Sequence, residues 1–178
     1  FSNAYSSSYR TDRGIVSLMS AFPGQPTSSL MTVPSKSRNL PQIGKALKQE
    51  GYLLNFYYGG DEDFTNMRSY LIDGGFENRV VDKDFPLQDR MSKWGAHDHI
   101  VLERASREIR QRYTQYPDNQ YFDVILTLSS HEPFDVPFTS DFSHAYLNSV
   151  AYTDSCLGAF VDSLKQHPLW DRTIIILS

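Results

Sequence analysis

Hydrophobic and polar positions along the chain fall into short blocks whose period changes several times. Ile15, Val16, Leu18 and Met19 belong to a stretch that predicts a short helix over 12–21, led in by Arg10-Thr11-Asp12-Arg13-Gly14. Residues 40–50 predict a second helix, with Pro41 in its first turn and Gly51 past its end. Leu53-Leu54-Asn55-Phe56-Tyr57-Tyr58 reads as a strand that Gly59-Gly60 breaks. A helix over 64–72, closed by Gly74-Gly75, and a short strand over 79–81 follow. Over 98–116, Ile100, Val101, Ala105 and Ile109 recur at helical spacing on one face. Residues 121–129 predict a strand too continuously apolar for a sheet edge. A second long helix over 144–165 is expected to turn Leu147, Val150, Ala151, Leu157, Val161 and Leu164 inward. Thr173-Ile174-Ile175-Ile176-Leu177, β-branched almost throughout, predicts a final buried strand.

Strands alternating with helices imply an α/β architecture with a mainly parallel sheet and helices on both faces. Without internal repeats or a low-complexity linker, 1–178 reads as a single domain. The start at Phe1 and the end at Ser178, directly after a strand, lead to the expectation of a domain truncated at both ends. Ligands of open α/β sheets bind at the carboxyl ends of the strands, so the loops after 58 and 129 are where chemistry is sought.

Composition narrows the field modestly. The 178 residues carry a net charge of −4 and no basic cluster, which disfavours a nucleic-acid partner. The single Cys156 excludes an internal disulfide and a cysteine-based zinc site. No apolar run approaches the roughly 20 residues that span a bilayer.

Four places hold candidate chemistry. Thr11 has two readings: N-cap of the first helix, or a nucleophilic hydroxyl in the positive field of that helix's N-terminus, with Arg10 and Arg13 to hold phosphate oxygens. Ser129-Ser130-His131-Glu132-Pro133-Phe134 follows a strand and makes His131 the candidate for proton transfer or anion recognition. Tyr58-Gly59-Gly60-Asp61 and the nearby Arg68 form a second loop, in which glycines permit close approach of a ligand and Arg68 either reaches a phosphate or pairs with Asp61. Trp94-Gly95-Ala96-His97-Asp98-His99 resembles a metal motif only superficially, because adjacent positions at a helix start spread around the axis; Asp98 reads as an N-terminal helix residue. Thr11, Asp61, Arg68 and His131 are expected to line one pocket.

Taken in order, Ser-Tyr-Arg-Thr-Asp-Arg-Gly (8–14), Tyr-Gly-Gly-Asp (58–61), Phe-Thr-Asn-Met-Arg (64–68), Trp-Gly-Ala-His-Asp (94–98), Leu-Ser-Ser-His-Glu-Pro-Phe (128–134) and Asn-Ser-Val-Ala-Tyr-Thr-Asp (148–154) resemble the catalytic domain of the lipoteichoic acid synthase and phosphoglycerol transferase group, within the sulfatase and alkaline phosphatase-like superfamily. The resemblance implies that Thr11 is a metal-bound nucleophile forming a phosphoglyceryl-threonine intermediate and that His131 lies near the transferred group. Arg10, Arg13, Asp61, Arg68 and Trp94 are the candidates for substrate binding. It also implies a divalent metal, manganese with magnesium or zinc as alternatives, whose ligands besides Thr11 fall outside this chain. The fragment by itself is therefore expected to bind metal poorly and to lack transferase activity. The expected partners are an anionic glycerophospholipid or glycerol-phosphate donor and a glycan acceptor. The expected location of the full protein is the extracytoplasmic face of a bacterial membrane, reached through N-terminal helices. A formylglycine sulfatase is disfavoured, because Cys156 is followed by Leu-Gly-Ala-Phe and Thr11 by Asp-Arg-Gly-Ile, and neither fits Cys/Ser-x-Pro-x-Arg. A hydrolase on the same scaffold, phosphodiesterase or phosphatase, and a non-catalytic binding domain are the alternatives. Family resemblance, not local spacing, favours the nucleophile over the cap.

Overall fold

A glycine and an asparagine show how local chemistry shapes this chain. Gly51 (φ 88°) takes the left-handed conformation just past a helix end, as its position predicts. Asn66 does the same at φ 63°, beside Thr65 at φ 56°, and there it breaks the expected 64–72 helix in two. The computed structural model describes residues 5–178. Its helices are α1 (Thr11–Ser20), α2 (Pro34–Ser37), α3 (Ile43–Gln49), α4 (Met67–Asp73), α5 (Asp98–Gln115) and α6 (Ala145–Lys165), and its strands β1 (Leu53–Tyr58), β2 (Asn78–Val80) and β3 (Tyr121–Leu126). Phe64–Asn66 is a separate 3-10 turn ahead of α4. The second helix starts later than expected, because Gln42 is extended (φ −135°, ψ 136°) and Pro41 precedes it rather than entering its first turn.

The strands form a parallel three-stranded sheet in the order β2-β1-β3. Two strand expectations need correction. β3 lies at an edge of this sheet, with all six positions half-buried. The run 173–177 pairs with no described strand, and Ile174 and Ile176 are 88% and 81% exposed. β-branched residues favour extended backbone, but a strand exists only where another strand takes its N–H and C=O groups.

The chain divides into two compact units. The first comprises the described residues up to Phe56, with 62–79 and 120–124. Its core holds Val16, Met19, Met31, Phe56, Met67, Tyr70, Leu71 and Phe76. The Phe76 ring meets Phe56 edge-on at 6.4 Å and Phe122 at 5.9 Å, arrangements that suit the aromatic quadrupole. The buried Tyr70 hydroxyl is satisfied by Ser20 Oγ at 2.6 Å. The second unit comprises 57–61, 80–119 and 125–178. Here α5 packs on α6 around Val101, Leu102, Ala105, Tyr152, Cys156, Phe160 and Leu164. The α5 face is as predicted, with Ile100 and Ile109 half-buried at its margin. The α6 face is as expected in its second half, where Leu164 is buried and Leu157 and Val161 pack against the core. In its first half Ser149 and Tyr152 are buried while Leu147 and Val150 are 45% and 41% exposed, and Cys156 and Phe160 join the buried stripe. Both stripes keep helical spacing. The buried one carries the larger Tyr and Phe side chains, which remove more apolar surface from water.

Candidate functional site

In the first unit the candidates cluster around two helix starts. Thr11 is the first residue of α1, and the N-cap position belongs to Arg10, whose backbone is extended (φ −122°, ψ 136°). The Thr11 side chain is exposed, and its hydroxyl bonds to no described residue. Arg10 Nε stands 3.9 Å from the carboxylate of Asp12, which is 7% exposed. Arg13 is turned to the loop instead: Nη1 donates to Pro26 O at 2.5 Å, and the guanidinium lies 5.3 Å over the Tyr9 ring. Arg68, on α4, pairs with Glu62 at 3.8 Å and Asp63 at 3.7 Å. Glu62 is buried and also accepts from Arg79 Nε at 2.7 Å, so one carboxylate orients two guanidinium groups. Beside Arg68 an open cavity of about 300 Å³ is lined by Asp63, Asn66, Ser69, Ile72 and Asp73.

In the second unit, Asp61 follows the Gly59-Gly60 turn. The expectation that these glycines admit a ligand is replaced by a closer fit with the chain itself: Gly59 O accepts from Ala96 N at 2.9 Å, and a Cβ on Gly59 would stand 2.2 Å from Ala96 O. The phenol of Tyr58 is pushed up to about 12, first by burial and then by the charges of Asp61 and Asp82.

Trp94 and His131 come together across 37 positions of sequence, which no local pattern signals. Their rings are 4.5 Å apart, and Trp94 Nε1 donates to Glu132 O at 2.7 Å. His131 Nδ1 lies 3.0 Å from the same carbonyl. A carbonyl only accepts, so Nδ1 carries the proton in this contact, which leaves Nε2 with the lone pair whenever the ring is neutral. His131 is exposed, so that lone pair can take a proton from a substrate.

The neighbouring histidines do other work. His97 caps α5 in position only; its Nδ1 is buried without a partner, and burial, then the charge of His99, hold its pKa below the ordinary value. His99 Nδ1 is hydrogen-bonded to the Tyr152 hydroxyl. Burial raises the Cys156 thiol pKa, so the single cysteine is a core residue of low reactivity. Among the described residues no group of three or more His, Cys, Asp or Glu could hold a metal ion. A divalent ion needs several such ligands, so these residues do not assemble, by themselves, the metal centre that the resemblance implies.

The fold and these residues define a class. The chain belongs to the sulfatase family, whose model, described as "Sulfatase", matches residues 1–178. It is a distant homologue of lipoteichoic acid synthases and phosphoglycerol transferases and has the α/β alkaline phosphatase-like fold. A lipoteichoic acid synthase-like protein of Bacillus subtilis is 25% identical over 144 residues, which are 74% of this chain and 22% of that protein. An alkaline phosphatase superfamily protein of Vibrio parahaemolyticus superposes with a TM-score of 0.81 at 28% identity, covering 91% of this chain and 40% of that one. The lipoteichoic acid synthase LtaP of Listeria monocytogenes superposes at 0.82 and 20% identity, over 92% of this chain and 42% of that one. A Streptococcus pyogenes phosphoglycerol transferase solved with sn-glycerol-1-phosphate gives 0.50 at 13%, over 84% and 43%. The chain thus spans about a fifth of the length of the curated relative and about two fifths of the solved chains.

Proposed function

We propose that this chain carries the nucleophile and the proton-transfer side of an enzyme that moves phosphoglycerol from a glycerophospholipid to a hydroxyl acceptor on a glycan. One observation supports it most: Thr11 offers an exposed hydroxyl from the first position of α1 while Arg10 occupies the N-cap, so the hydroxyl has no capping duty among the described residues. The N–H groups of a helix's first turn favour anionic oxygens beside it.

In the proposed reaction Thr11 Oγ1 bonds to the head-group phosphorus as the bond from phosphorus to the lipid glycerol oxygen breaks. The Thr11 proton is given up and the departing lipid alcohol takes one. His131, with Nε2 accepting and returning a proton, is assigned to movement of protons at the leaving or incoming hydroxyl. The acceptor hydroxyl then attacks the threonine-bound phosphorus, transfers the phosphoglycerol and restores the Thr11 hydroxyl. Arg10 and Arg68 are assigned to the non-bridging phosphate oxygens, with Asp61 and Trp94 contacting the glycerol or the head group. Arg13 joins them only if it leaves Pro26 O. The sn-glycerol-1-phosphate bound to the Streptococcus pyogenes phosphoglycerol transferase supports glycerol phosphate as the substrate class. Such donors and acceptors place the reaction at the extracytoplasmic face of a bacterial membrane. No described helix is long and apolar enough to cross one.

The test is head-group transfer from labelled phosphatidylglycerol in the intact protein, with the covalent adduct sought on the peptide that contains Thr11. Thr11→Ala is expected to abolish both transfer and adduct. A second reading, hydrolysis of a phosphate ester, is favoured by the family match and the alkaline phosphatase superfamily neighbour. Label recovered as free glycerol phosphate, with none on an acceptor, would select hydrolysis.

A further inference from the structure

The turn that carries His131 is held from beneath by a side chain whose sequence position marks only a helix start. Asp98 opens α5 and is 1% exposed. Its Oδ1 accepts from the backbone N–H groups of Leu128 at 2.7 Å and Ser129 at 3.2 Å. Its Oδ2 accepts from the Thr153 hydroxyl on α6 at 2.7 Å. In return, Ser129 Oγ accepts from Asp98 N at 2.9 Å and so caps α5 from another part of the chain. Ser130 Oγ extends the network, 3.2 Å from Thr153 Oγ1 and donating to Ser149 O at 3.3 Å. Leu128 O then accepts from His131 N at 3.0 Å, which carries the anchor through to the imidazole's own residue.

The other ring sits on the segment that leads into α5. Trp94 precedes Asp98 by four residues, and Ala96 N ties the intervening chain to Gly59 O at 2.9 Å. Asp98 thus anchors the turn bearing His131 while the Ala96–Gly59 bond holds the segment bearing Trp94, and the two rings meet at the 4.5 Å contact and the shared Glu132 carbonyl.

A helix start needs only an exposed acidic residue or a small cap. A buried carboxylate is costly unless each oxygen is satisfied, so its burial here is matched by what it orders. We propose that Asp98 is a positioning residue for His131: it fixes the 128–131 turn so that the imidazole packs on Trp94 with Nε2 facing outward. The proposal builds on the role assigned to His131 above.

The first test needs no substrate. In histidine-labelled protein, the His131 ring protons should be shifted by the Trp94 ring current, a shift identified by its loss in Trp94→Leu. In folded Asp98→Ala the shift is expected to vanish. Asp98→Asn should restore it, because the amide oxygen still accepts from Leu128 and Ser129 while the amide N–H₂ donates to Thr153. A folded Asp98→Ala protein that keeps the shift would overturn the proposal. Should Asp98→Ala fail to fold, Thr153→Val decides in its place: a reduced shift is expected, and an unchanged one is fatal. In the head-group transfer assay, Asp98→Ala should lower kcat on the order of a hundredfold with KM little changed, and Asp98→Asn should recover most of it. If His131→Ala leaves transfer intact, the catalytic role of His131 falls, while the ring-current result still decides what Asp98 positions.

Discussion

Thr11→Ala should separate chemistry from folding. A true N-cap threonine contributes about 1 kcal/mol. At an exposed first helical position with no side-chain bond, the same change should move stability by less than about 0.5 kcal/mol, read from urea unfolding, while transfer is lost. His97 allows a second residue-scale test. Its pKa is lowered by burial first and by His99 next, with Asp135 and Asp98 opposing. The unfolded chain therefore takes up the proton before the folded one does, and the His97 contribution to stability is lost as the pH falls below the ordinary histidine value of 6.5. His97→Asn should flatten that acid limb in chemical denaturation series at stepped pH. At this scale the sequence named Thr11, His131, Arg68 and Trp94 through an ordered family pattern. It had no means of marking Asp98 as an anchor, because Asp at a helix start is ordinary and its partners Leu128, Ser129 and Thr153 lie 30 or more residues away.

At the scale of elements, periodicity placed the long helices almost to the residue and found the buried face of α6 around Leu164 but not around Leu147 and Val150. Leu164→Ala should cost about 2–5 kcal/mol by emptying a core site. Leu147→Ala, which the sequence pattern alone would rank as equal to it, should cost less than about 0.5 kcal/mol. Thermal unfolding of the pair checks the helix's rotation directly. Gly95 offers a sharper case: its φ of 134° suits only glycine, and a Cβ there would stand 2.0 Å from Gly59 O. Gly95→Ala should lower stability by about 1–3 kcal/mol or more, and should release the Trp94–His131 contact with it. The failed strand at 173–177 and the broken helix at 64–72 have one physical reason. Propensity describes what a segment tolerates, while pairing partners and left-handed residues decide what it does.

Across the whole molecule, buried phenols predict alkaline instability. Tyr58 is raised to about 12 by burial and the nearby Asp61 and Asp82, and burial also raises Tyr70 and Tyr152. Each must be deprotonated in the unfolded chain before it is in the folded one, so stability present below the ordinary tyrosine value of 10.0 is lost as pH rises from there toward 12. Unfolding midpoints measured through that window should fall, and Tyr58→Phe should make the fall shallower.

The ordered motifs and the alternation of strand and helix were enough to assign the family and the α/β class, because both are properties of spacing along one chain. Which α6 stripe is buried, that Gly59 receives the chain's own Ala96, and that Trp94, His131 and Asp98 form one hydrogen-bonded assembly were decided only in three dimensions. Those outcomes depend on which donors and apolar faces meet across long sequence separations, and such meetings leave no periodic trace in the residues that make them.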